Sequence, residues 1–196
     1  MRPTNFLLPC GIVCVLAGLT GCHGMYRQPP PETALLAGIP PEELRDVLAG
    51  MARSHDQKVE LAFYVSLPWQ GVDEPFKAFY PQMRSQQADL AKELRAWAAA
   101  HDLDMSFHFS DDTDGRAVKI MEARQEKVLR ADNRTDFSRD ALVQMYADYE
   151  FQISLVQALL PRVHDAGLKA YLEKSLQVHT QGSAEITGLL KKFKLS

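Results

Sequence analysis

The chain has 196 residues and a mass of 22.0 kDa, with 22 Lys and Arg against 25 Asp and Glu. A net charge of -3 argues against nucleic-acid binding, which needs a concentrated basic face. A hydrophobic share of 46% excludes wholesale disorder, and 11 Gly with 11 Pro exclude a collagen-like or low-complexity chain.

Met1-Arg2 supplies one positive charge, and an apolar run follows from Phe6 to Leu19. This is the charged start and short apolar region of an export signal, too short for a transmembrane helix of roughly 20 apolar residues. The run ends in Leu19-Thr20-Gly21-Cys22, which resembles a bacterial lipobox. Small residues precede the cut, and the thiol of Cys22 accepts the diacylglycerol. The expected organisation is a lipoprotein signal peptide over residues 1–21, a lipidated Cys22 with a tether over 22–40, and a helical domain over 41–196. Cleavage removes Cys10 and Cys14, so the mature domain is expected to carry no disulfide. His23 follows the cysteine in place of the Asp that retains lipoproteins at the inner membrane. The expectation is therefore an outer-membrane anchor facing the periplasm.

Gln28-Pro29-Pro30-Pro31-Glu32 reads as a stiff, extended tether. Pro40-Pro41-Glu42-Glu43 opens a first helix over about 41–67, with acids near its positive end and Pro68 as the stop. Asp73-Glu74-Pro75 opens a second over about 74–101, with Pro81 expected to kink it. Asp111-Asp112-Thr113-Asp114-Gly115 reads as a polar turn, because its glycine falls one position early for a calcium loop. Residues 115–131 are rich in Arg, Lys and Glu and read as a solvated helical crossover. A long helix from Thr135 to about His164 and a last one over about 168–193 complete the chain. The expected core positions include Leu94, Ile153, Leu172 and Leu176. The fold expected is all-α: a ferritin-like four-helix bundle with one long crossover.

The apolar stripes have polar gaps at His55, Gln87, Tyr149 and His179, one on each long helix. Unpaired, each would cost roughly 1–3 kcal/mol, so the four are expected to form a polar core layer that sets helix register. The competing reading makes His55 and His179, supported by Tyr149 and Gln87, ligands of a metal or haem. No histidine has Glu three residues before it, as a di-iron bundle site requires, and no zinc-like ligand spacing is present. Nucleotide, thiol-redox and nucleophile-elbow motifs are also missing from the sequence. The expectation is therefore a non-enzyme with no cofactor and no metal.

Phe79-Tyr80-Pro81-Gln82-Met83-Arg84-Ser85-Gln86-Gln87, then Phe137, Arg139, Met145 and Asp148, then His179, together resemble a ferritin-like bacterial envelope family, the domain of unknown function 4142. The resemblance covers about residues 46–192. Gln86-Gln87 stands where the family has Asp-His, Ser138 replaces an Asp, and Tyr149 replaces a second His. The resemblance thus implies a degenerate member whose metal-type positions are altered. Its expected partners are the membrane, through the lipid, and another envelope protein.

Overall fold

The computed structural model describes residues 39–66, 74–107, 116, 119–120, 122–123 and 134–192. The expected signal peptide, Cys22, the tether before Ile39 and the polar turn at 111–115 lie outside the described residues. The described chain is helical, with no strand.

Helix α1 spans Pro41–Val65 and begins where expected, with Pro40 as N-cap and Glu42 and Glu43 in the first turn. The sequence suggests one continuous second helix. Instead a short α2, Glu74–Lys77, is separated from α3, Phe79–Ala100, by a break at Ala78. Pro81 explains it. The ring cannot pack against the carbonyl four residues earlier, that of Lys77, and it offers no N–H to that carbonyl. The disruption therefore falls ahead of the proline. α3 ends in a Schellman turn: Leu103 N–H reaches Ala98 O at 2.9 Å, Asp102 N–H reaches Ala99 O at 3.4 Å, and Asp102 takes φ 50°. Asp is among the few side chains that tolerate this left-handed geometry.

Helix α4 spans Arg134–Leu159 and tightens into a 3-10 turn at Leu160–Arg162, where Pro161 lacks the N–H for another α-helical bond. Helix α5 spans Ala166–Leu190. Of the expected crossover, residues 116, 119–120 and 122–123 are described and helical. Arg116, Lys119 and Ile120 are exposed there, as a solvated segment should be, and Glu122 accepts from Arg53 of α1 at 2.6 Å.

The four long helices share two apolar clusters. One joins the start of α1 (Leu44, Leu48), the end of α3 (Leu90, Leu94), the end of α4 (Val156, Leu159) and the start of α5 (Leu168, Leu172). The other joins the opposite ends through Ala62, Val65, Met83, Leu142, Met145 and Ile186. Helices α1 and α5 thus run one way, and α3 and α4 the other. α1 packs on α3, and α4 on α5, more extensively than either hairpin packs on the other. Two expected core positions are corrected. Ile153 and Leu176 are only partly buried, and their neighbours Gln152 and Ser175 turn inward instead.

Asp165 clasps the first cluster from outside. Its carboxylate accepts from Leu168 N–H at 2.7 Å, capping α5, and from Trp97 Nε1–H of α3 at 2.8 Å. Partial burial by itself would raise its pKa. The bonds from Leu168 and Trp97, with His101 nearby, outweigh that and hold it below the ordinary carboxylate range. Asp165→Ala should lower urea-unfolding stability at neutral pH by about 1–2 kcal/mol, the usual worth of an N-cap. Because the folded pKa is depressed, this contribution is present above the unfolded value and disappears as pH falls through the folded one. The wild-type and variant stabilities should therefore converge in acid.

Candidate functional site

The two apolar clusters are separated by a polar layer, and all four residues expected there lie in it. His55, Gln87, Tyr149 and His179 are each fully buried. His55 Nδ1–H donates to Gln87 Oε1 at 2.7 Å, and its Nε2 accepts the Tyr171 hydroxyl at 2.9 Å. Gln87 Nε2 donates to the Tyr149 hydroxyl at 3.1 Å. The amide oxygen is an acceptor only, so His55 must carry its proton on Nδ1 when neutral. One connected set of side chains therefore ties all four long helices together.

His179 lies against this set through ring contacts. Its ring stacks on that of His55, with centroids 5.5 Å apart and 9° between planes. Tyr149 meets it edge-on at 5.1 Å and 76°. Its Nδ1 sits 3.2 Å from Ser175 Oγ, and its buried Nε2 has no hydrogen-bond partner among the described residues. Tyr149 can approach this closely because residue 182 is glycine. A Cβ at Gly182 would lie 2.2 Å from Tyr149 Cε1.

The layer reaches the surface on the α1–α4 side. Lys58 is buried, pairs with Asp148, donates to Ser54 Oγ at 2.6 Å, and sits 5.4 Å from the Tyr149 ring centre. Ser54 Oγ donates on to Asp148, 3.1 Å from Oδ2. Burial, reinforced by Lys58, lowers the pKa of His55 to about 3, despite the opposing bond to Gln87. Burial, then Lys58 and His55, lowers that of His179 to about 2. Burial also pushes the Tyr80, Tyr149 and Tyr171 hydroxyls well above their ordinary value. At neutral pH the layer holds uncharged imidazoles and phenols beside one ion pair.

Sequence periodicity missed Tyr171, Ser175, Ser54, Lys58 and Asp148. Tyr171 and Ser175 stand eight and four residues before His179, on the same stripe, so helical phase could have found them. Lys58 falls in the α1 phase of Met51, His55 and Ala62, where a charged side chain breaks the pattern.

Both nitrogens of His55 are engaged in hydrogen bonds, so a ligand at Nε2 would have to displace the Tyr171 hydroxyl, whereas His179 Nε2 carries no bond. Among the described residues, no group of three or more His, Cys, Asp or Glu is placed to hold a metal ion. A shallow groove lined by Phe79, Gln82, Glu185, Gly188 and Leu189 includes no member of the layer. No protein family, curated protein or solved structure matches the chain.

Proposed function

We propose that this is a lipid-anchored, non-catalytic helical bundle, held through Cys22 on the periplasmic side of the outer membrane. Its role is interaction with another envelope component or tolerance of envelope stress. The observation that carries the non-catalytic reading is the engagement of the polar layer with itself. His55, Gln87, Tyr149 and Tyr171 bond to one another, and both imidazoles are fully buried. The lipobox-like Leu19-Thr20-Gly21-Cys22 supports the anchor. No described helix is long and apolar enough to cross a membrane, so the anchor reading rests on the lipid.

A ferritin-like bundle, and with it degenerate membership of the family of domain of unknown function 4142, is the finer fold reading. It is supported by two antiparallel hairpins, α1–α3 and α4–α5, whose connection starts and ends at opposite ends of the helices. Ferritin-like folds carry one long crossover between such hairpins.

Cys22→Ser should abolish labelling by a fatty-acid probe and release the protein from the membrane fraction. Unchanged labelling would remove the lipoprotein reading. Metal analysis of the purified protein tests the other half. Substoichiometric metal is expected, whereas one bound transition metal per chain, lost in His179→Gln, would restore the metal-protein alternative.

A further inference from the structure

The stacked imidazoles lie on the boundary between the two hairpins. His55 belongs to α1 and His179 to α5, and the bonds His55–Tyr171 and Gln87–Tyr149 cross the same boundary. We propose that the His55–His179 stack is an acid-sensitive latch, whose protonation releases the α1–α3 hairpin from the α4–α5 hairpin while the helices persist. This inference does not depend on the membrane anchor.

The geometry offers an added proton on His179 no acceptor. His179 Nε2 is buried and faces no acceptor among the described residues, so a proton there makes an unpaired N–H on a cation. That cation would sit against the His55 ring, 5.5 Å away between centroids, and within the field of Lys58. A proton on His55 Nε2 reverses the bond to the Tyr171 hydroxyl, which must then accept and turn its own hydrogen to another partner.

Gln87 favours the charged form of His55, and the Ser175 backbone that of His179, but burial outweighs both. From α1 there is Lys58, and from α3 Gln87 and Arg95, the latter also disfavouring charge on His55. From α4 come Tyr149 and Asp148, whose carboxylate already serves Lys58 and Ser54. From α5 come Tyr171 and Ser175; Glu93 of α3 and Glu185 of α5 bear on Tyr171 and Tyr149 rather than on the imidazoles. Water is then the available partner, and water enters by parting the hairpins. Burial and Lys58 lower both imidazole pKa values, so the sign is set: the contribution is complete above the unfolded value of 6.5 and is lost as pH falls below it. Each hairpin retains its own extensive packing, with Tyr149 nested over Gly182 in one and Arg95 paired with Asp56 in the other. Loss of the interface between them is the compact, helical, loosely packed state that acid produces in many proteins.

The test uses the full chain with Cys22→Ser, titrated from pH 7.5 to 3. Near-ultraviolet circular dichroism reports packing, far-ultraviolet circular dichroism reports helix, and a hydrophobic dye reports exposed core. The near-ultraviolet signal should vanish and dye should bind at a pH where the helical signal is retained. His179→Gln should move that midpoint acidward by about one pH unit or more, because one of two resisting groups is gone. Replacing the exposed His164 by Gln should not move it. Ring nuclear magnetic resonance of the unsubstituted histidines gives a second reading in case the variant fails to fold. Both buried imidazoles should stay neutral until packing is lost and then protonate with it. Simultaneous loss of packing and helix, an unmoved midpoint in a folded His179→Gln, or imidazoles that protonate while packing persists would each overturn the latch.

Discussion

Leu172→Ala should cost the fold about 2–5 kcal/mol, the range for deleting a buried leucine side chain from a core that relaxes only in part. Leu172 is fully buried, in one cluster with Leu48 of α1, Leu94 of α3 and Val156 of α4. Truncation there opens a space that four helices would have to collapse together to fill. Leu176→Ala is the paired control. It lies one turn further along α5 but is only partly buried, so it should cost clearly less. Urea unfolding of both variants, with unchanged slopes, measures the difference. Equal losses would mean that α5 is rotated from the phase described.

Gly182→Ala should be destabilising although alanine is the better helix former by about 1 kcal/mol. The added Cβ would stand 2.2 Å from Tyr149 Cε1 and 3.0 Å from Cδ1 and Cζ. Tyr149 has no room to swing aside: it is fully buried, its hydroxyl is held by Gln87, and its ring packs T-shaped against His179. Moving the ring breaks the Gln87 bond and leaves a buried amide unpaired, for about 1–3 kcal/mol. Overpacking adds a similar amount. After the helix-propensity gain, a net loss of about 1–5 kcal/mol is expected by thermal or urea unfolding. In a Tyr149→Val background the clash has no ring to meet, so the same glycine replacement should be near neutral or stabilising. That non-additivity is the signature of direct contact. Additive losses would place the cost elsewhere.

Helix positions were legible from local chemistry. Pro40-Pro41-Glu42-Glu43 and the apolar spacing of Leu44, Leu48 and Met51 act within a few residues of one another, so the start and buried face of α1 follow without knowledge of the fold. The four polar gaps were legible for the same reason. A histidine, glutamine or tyrosine on an otherwise apolar stripe must meet another polar group, and each stripe carries at least one such residue. Pro81 showed that α3 would be disturbed, but not that the break would fall at Ala78, since the strain lands on the preceding turn.

What the sequence by itself determined is therefore one amphipathic helix after another, each with a polar residue to satisfy. Only the tertiary structure decided how those residues pair. Tyr171 is 116 positions from His55, Gln87 is 62 from Tyr149, and Asp148 is 94 from Ser54. Helical phase tolerates a rotation of tens of degrees, so it could not tell whether Leu176 or Ser175 would turn inward on α5. That choice belongs to the packed interior, where Tyr149 needs the space over Gly182 and the Tyr171 hydroxyl needs His55. Periodicity reports the energy of leaving water, which is blind to direction. Hydrogen bonds and close packing are directional, and they exist only once four helices have met.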